Sequence, residues 1–333
     1  MSGTADLMHS LWTKVQLEAP PLLQRLVIQR LHQAKEIARL LARPALPVYQ
    51  LRGREPWGPL TVAWIGLEFA RPALQSLLFT GDTIEEKIGS IPFWRHSELV
   101  KQPSSDIIIV SAAEHLIHKL PRDNAIVLPE YVRHILDVRG DWPDVRRRFH
   151  RSIRKNELRW MRKYGYHYDI SRAPQHFEDF FQRMYLPTMK GRHGERSSPM
   201  SAGVARQYFR HGWLFRIFRN GDWVSGMVCH PKQDMLVTNI LGLKSADAQL
   251  VHEGAVSATF FAAIQWANQH NYRAVNFLGT GPFINTGSFQ HKRKWGTMVR
   301  VPPFLYRQIW ISVQRHTPAV ARFLQENPVV VVG

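Results

Sequence analysis

The chain has 333 residues, enough for one large domain or two of ordinary size, and its 44% apolar content supplies a packed core and excludes global disorder. A single cysteine, Cys229, excludes an intrachain disulfide framework and fits a reducing compartment. Lys and Arg number 44 against 26 Asp and Glu; the net charge of +18 favours an anionic partner (nucleic acid, anionic lipid or a phosphate-rich small molecule) without choosing among them.

From the N-terminus, no compact apolar stretch precedes a small-residue cleavage site, and no apolar run approaches the roughly 20 residues of a spanning helix. The expectation is a cytoplasmic protein. Leu23, Val27, Leu31, Ala34, Ala38 and Leu41 recur at helical spacing and predict a helix over 11–43, with Arg25, Arg30, Lys35, Arg39 and Arg43 around the stripe. Such a helix either docks its stripe on the protein body or lies on an anionic surface, which leaves peripheral contact with the inner membrane open. Residues 48–137 read as mixed α/β, with short β-branched strands at 61–65, 106–110 and 125–128 and a helix within 111–119. His115 and His118 share a face there, but two histidines without further ligands make no metal site, and no metal is expected.

Residues 144–163 predict one strongly basic helix, holding Arg146, Arg147, Arg148, Arg151, Arg154, Lys155, Arg159, Arg162 and Lys163 against Glu157. Pro143 suits its first turn and Gly165 its exit. A strand at 169–170 and a helix at 176–184 follow. The polar stretch 190–201, with Arg192, reads as an exposed loop, a surface connection or a substrate lid. The clearest sheet signal is 213–242. Alternating strands at 213–219, 223–230 and 235–241 flank the hairpin turn Asn220-Gly221 and a second turn at 231–234, which predicts an antiparallel meander. His252-Glu253-Gly254 then leads into a helix over 255–270, a strand over 274–278, the turn Gly279-Thr280-Gly281-Pro282, and a basic loop, His291-Lys292-Arg293-Lys294-Trp295-Gly296. No internal repeat is visible in the sequence.

This order of elements, with the closing text NFLGTGPFINTGSFQHKRKWG at 276–296, resembles the GNAT superfamily, in its FemAB-like branch. Segments 146–165, 214–226 and 261–267 add to the resemblance, which spans 144–301. It implies an α/β fold with a mixed, largely antiparallel central sheet flanked by helices. FemAB-like proteins often carry two GNAT-like halves, so 48–140 is the candidate degenerate first half. The expected organisation is an amphipathic segment over 1–47, that half over 48–140, an acyltransferase domain over 141–310 and a tail over 311–333.

The resemblance implies an enzyme that moves an acyl or aminoacyl group from a thioester or ester donor to an amine. Acyl-CoA is the expected donor. The acceptor would be an amino sugar or a cell-envelope precursor. Two alternatives stand beside this reading: an aminoacyl-tRNA-dependent transferase, and a non-catalytic module that binds anionic membrane or nucleic acid. In the superfamily the donor lies between parted strands and a helix N-terminus meets its phosphates, which points to Gly254, Ala255, Val256 and Ser257. The usual phosphate loop has more glycine than 250–255, where Gly254 stands alone. Lys292 aligns with the lysine of the closing Lys-x-x-aromatic-Gly element and is the candidate for steadying a phosphate or an oxyanion. Glu253 and His252 are the candidate bases. Asn285, Ser288, Arg293, Lys294 and Arg192 are candidate substrate contacts. His230 and Asp234 match a short His-x-x-x-Asp pattern that arises readily by chance and is set aside.

Overall fold

The structure is a computed structural model that describes Thr13, Leu17 and residues 44–332 apart from 56–57, 67–70, 102–103, 194–198 and 303–306. Apart from Thr13 and Leu17, the helix expected over 11–43 lies outside the described residues. The chain divides into two compact units. The first takes in the described residues from 44 to 132, 280–290 and those from 301 on; the second holds 133–279 and 291–300.

The sheet of the first unit has the order β3-β1-β2-β4-β13-β5, formed by β1 (Ala45–Glu55), β2 (Gly58–Gly66), β3 (Thr83–Pro92), β4 (Ile107–Ala113), β5 (Ala125–Pro129) and β13 (Arg307–Val313). Helices α1 (Arg71–Leu78) and α2 (Glu114–Ile117) intervene. The run Ile107-Ile108-Ile109-Val110 is buried on both faces, which is why β4 reads as a continuous apolar stretch without alternation. β2 and β4 run parallel and stay paired from Val62↔Ile107 to Gly66↔Ser111. Gly66 permits this: its φ is +105°, and a Cβ there would stand 2.1 Å from the Ser111 carbonyl oxygen.

In the second unit the sheet order is β12-β6-β11-β10-β9-β8-β7. The strands are β6 (Val132–Asp137), β7 (His167–Ser171), β8 (Trp213–Arg219), β9 (Asp222–Lys232), β10 (Met235–Leu243), β11 (Ala274–Thr280) and β12 (Met298–Arg300). The expected meander is β8-β9-β10, and its first turn has Asn220 and Gly221 at φ 51° and 84°, the two positive values a two-residue hairpin of this hand requires. One face of the sheet packs on helix α9 (Ala255–Gln269), whose Phe260 stacks on Phe277 with centroids 5.0 Å apart; Phe215, Met227, Leu236 and Val275 complete that core. A second cluster joins Leu214, Val228 and Ile240 of the sheet to Phe177, Phe180 and Phe209. These aromatics come from α5 (Pro174–Phe180), which runs through a π-helical turn into α6 (Leu186–His193), and from α7 (Ala202–Arg210).

Three local expectations change. Residues 144–163 are not one helix. Helix α3 (Trp142–Arg147) ends before Phe149, and a second helical run resumes with a π turn at Ile153–Glu157 and continues as α4 (Leu158–Lys163). The break has a tertiary cause. Trp295, fully buried, meets Phe149 edge-on at 5.2 Å, the His150 N–H donates to the Lys294 carbonyl at 2.8 Å, and Gly296 lies so close that a Cβ would stand 2.3 Å from Arg148 O. Secondly, 287–294 is helix α10 (Gly287–Lys294), not a loop. Thirdly, Lys190–His193 close α6, so Arg192 is helical, and 194–198 lie outside the described residues.

The two sheets share a five-strand pattern. β1-β2-β4-β13-β5 corresponds to β9-β10-β11-β6-β12: an antiparallel pair, a parallel strand beside its second member, then two more strands in the same spatial order. β6 follows β5 in the chain yet lies in the second unit's sheet; β13 follows β12 yet lies in the first unit's sheet. The architecture is α/β, two mixed, largely antiparallel sheets flanked by helices, in two halves. The repeat is one of topology.

Candidate functional site

In the second unit the parallel pair comes apart. β10 and β11 are paired only at Met235↔Ala274, Leu236↔Val275 and Val237↔Asn276, after which β10 continues to Leu243 and β11 to Thr280 without pairing. The register of β10 against β9 slips where the fork begins: Thr238 opposes Cys229 and Ile240 opposes Val228, leaving Asn239 as a bulge. A bulged residue drops out of the ladder, and its strand bends. The inner edges of the fork are satisfied by side chains in place of strand partners. Thr238 Oγ1 donates to Asn276 O at 3.2 Å, Asn276 Oδ1 accepts the Leu278 N–H at 2.9 Å, and the Leu243 N–H donates to Thr188 Oγ1 at 2.8 Å. The Asn239 amide is itself tied to the buried His230 Nδ1.

Lys292 of α10 closes the end of β11. Its half-buried ammonium donates to Phe277 O at 2.6 Å and Gly279 O at 2.9 Å. Burial lowers its pKa from the ordinary lysine value to about 8. Behind it, Thr297 Oγ1 donates to Lys292 O at 3.1 Å and stands 3.1 Å from Nδ1 of His134, a fully buried residue of β6. Because the hydroxyl proton is directed at the carbonyl, the network assigns the hydrogen of His134 to Nδ1. Burial first, and the Lys292 charge second, lower the pKa of His134 to about 4, so its imidazole is neutral near pH 7. His134 and Thr297 had no signal in the sequence beyond the alternation of VRHILD; 163 positions separate them.

Helix α9 begins at the open end of the fork. The Ser225 hydroxyl lies 2.6 Å from Thr259 Oγ1, and Ser225 is the cross-strand partner of Leu243, the last residue of β10. Gly254, in the left-handed region at φ 91°, joins α8 (Ala248–His252) to α9. The N–H groups of Glu253 and Gly254 are spent on Gln249 O and Val251 O, and the first intrahelical bond is Ala258 N–H to Gly254 O. Ala255, Val256 and Ser257 therefore supply the first-turn N–H groups that the helix itself leaves over. Three such donors in one turn, at the positive end of a helix dipole, fit a phosphate.

The other sequence candidates separate. Glu253 is engaged by the Arg219 guanidinium in an ion pair and by Gln249 Nε2 at 3.1 Å. His252 is exposed at the end of α8, and Arg293 and Lys294 are exposed on α10. In the first unit, Asn285 donates to Glu326 O at 2.8 Å at the end of helix α11 (Pro318–Glu326), while Ser288 is exposed. Asp234 pairs with Arg273, apart from His230's contact with Asn239. Among the described residues no group of three or more His, Cys, Asp or Glu side chains could hold a metal ion.

No family model matches the sequence, and no curated protein matches it. Solved structures with a similar fold include the C-terminal domain of a putative lysylphosphatidylglycerol synthetase from Agrobacterium fabrum, 12% identical, with 96% of each chain covered and a TM-score of 0.40. L-PGS from Bacillus licheniformis is 13% identical over 84% of this chain and 85% of its own, with a TM-score of 0.39. FemX is 12% identical over 91% of this chain and 95% of its own, with a TM-score of 0.44. Likenesses of this size concern the fold alone.

Proposed function

We propose that the chain is an N-acyltransferase that moves an acyl group from a thioester, acyl-CoA, to an amine such as an amino sugar or a cell-envelope precursor, in the cytoplasm. The observation that supports this reading is the fork between β10 and β11, with a bulge on one arm and a helix N-terminus at its mouth. The corresponding pair β2–β4 of the first unit stays paired through Gly66, which favours the second unit as the seat of the chemistry.

In this reading the donor contributes an activated carbonyl, and its phosphates meet the N–H groups of Ala255, Val256 and Ser257. The acceptor nitrogen attacks the carbonyl carbon; a C–N bond forms and the π electrons pass to oxygen. The N–H that the bulge at Asn239 takes out of the ladder with β9 receives that oxyanion. Collapse breaks the C–S bond and expels the thiolate, and the nitrogen gives its proton to a base. Glu253 and His252 flank the helix start and are the candidates for that step. Lys292 keeps the β11 arm in place and adds positive charge to it, with Arg293 and Lys294 next along α10 and Arg192 as candidate substrate contacts.

The test is a thermal melt of the full chain with acetyl-CoA, a long-chain acyl-CoA or bulk aminoacylated tRNA. A ligand held only by the folded state at about 100 times its Kd adds about 2.7 kcal/mol and raises Tm. A rise with acyl-CoA and none with tRNA supports the proposal. A rise with tRNA alone would replace the donor by aminoacyl-tRNA, a reading favoured by the solitary Gly254 at the helix start. No rise with any donor would leave a binding module.

A further inference from the structure

The segment 146–163 carries nine exposed cations, of which Arg147 pairs with Asp144 and Arg148 with Asp137. Nothing in the acyl-transfer reading uses them. The last turn of the segment, α4, also walls a cleft of about 270 Å³ on the α9 side of the sheet. Met161 of α4, Tyr166 and Tyr168, Ile217 of β8, and Phe261 and Gln265 of α9 line it. The lining is apolar except for the tyrosine hydroxyls, the His167 imidazole and one amide. The volume falls just below the roughly 300–1,000 Å³ of small-molecule sites. That suits a length of hydrocarbon chain better than a nucleotide. Arg159, Arg162 and Lys163, exposed on the same helix that contributes Met161, stand on its outer side.

We infer that α4 and this cleft form a docking site for an anionic bilayer surface: Arg159, Arg162 and Lys163 meet lipid phosphates while one acyl chain enters between Met161, Tyr168 and Phe261. Charge complementarity identifies the partner, since a cluster of exposed cations is drawn to an anionic leaflet. The apolar cleft beside it gives the attachment a component that salt does not screen. Single-stranded nucleic acid fits less well. Its bases need open aromatic faces, and the ring of Tyr164 already has Lys163 at 5.0 Å and Arg219 at 5.9 Å.

The experiment is co-sedimentation of the full chain with vesicles of phosphatidylcholine alone or mixed with phosphatidylglycerol, at low and high salt. Binding is expected to the mixed vesicles only. The triple variant R159E/R162E/K163E should lose about a hundredfold in affinity at an unchanged Tm. Gln265→Trp, which narrows the cleft from its half-buried mouth, should remove the binding that survives high salt and spare most of the rest. Equal binding to uncharged vesicles, or undiminished binding by the triple variant, overturns the inference. So does bulk tRNA that binds more tightly and displaces the vesicles. Salt-resistant binding that Gln265→Trp leaves untouched overturns the role of the cleft. A substitution that lowers Tm is replaced by its milder partner, R162Q/K163Q or Gln265→Leu, and judged by the same outcomes.

Discussion

Lys292 does two jobs with one ammonium group. It bonds two carbonyls at the end of β11, and it keeps a positive charge in a half-buried place. Its folded pKa of about 8 lies below the unfolded value near 10.5. Between those values the unfolded chain binds more protons than the folded one, so stability rises with pH across that window. Chemical denaturation at pH 8 and pH 10 should show this rise in the native protein and a weaker one in Lys292→Met. The variant should also be less stable by about 1–3 kcal/mol, the cost of leaving the carbonyl of the buried Phe277 unsatisfied. The buried histidines act at the other end of the scale. His134 at about 4 and His230 at about 3 are both depressed by burial from 6.5. The unfolded chain therefore takes up protons that the fold refuses, and stability falls as pH drops from about 6.5 toward 4. His134→Gln should flatten the upper part of that fall; an unchanged slope would mean that His134 protonates within the fold.

Among the elements, the join of α10 to β12 is the most constrained. Gly296 has φ +79°, and a Cβ there would stand 2.3 Å from Arg148 O, backbone that cannot turn aside. Gly165, at φ +60°, has nothing within 4 Å. Gly165→Ala should cost about 1–2 kcal/mol from left-handed backbone alone. Gly296→Ala should cost more, because the backbone strain is joined by a collision that pushes α10 from Phe149; equal losses in a urea titration would remove the close approach from the account. This join also shows why parts of the fold were legible in the sequence and others not. The meander was readable because alternation and Asn-Gly are local signals. α10 was not: in GSFQHKRK Phe289 is the one buried residue, so a periodic apolar stripe is missing. The break at 148–150 was invisible for a related reason, since its cause sits about 150 positions away in Trp295 and Gly296. At the site, the closing motif pointed to Lys292, while the fork, the Asn239 bulge and His134 exist only through pairings distant in sequence.

Over the whole molecule, a repeated topology was put to two uses. In the first unit the parallel pair β2–β4 is closed to its end, with Gly66 admitting the Ser111 carbonyl. In the second, the equivalent pair separates after three residues, and Gly242 of β10 instead admits helical backbone: a Cβ there would lie 2.6 Å from Tyr185 N and 2.8 Å from the carbonyl carbon of Met184. The π-helical turn at Phe181–Tyr185 is thereby seated against the open arm, and Thr188, just beyond it, takes up the bonds at Leu243. The divergence needs no change of strand order, only a bulge, a lysine and a glycine that admits a helix where its counterpart admits a strand. A donor bound as proposed should therefore leave an asymmetric trace in amide hydrogen exchange. With acyl-CoA at saturation, protection should increase at 239–243, 254–258 and 277–280. The matching stretches 62–66 and 107–113, already tied into a continuous ladder, should exchange as slowly without the donor as with it. Protection confined to the first unit would move the site to the other half of the fold.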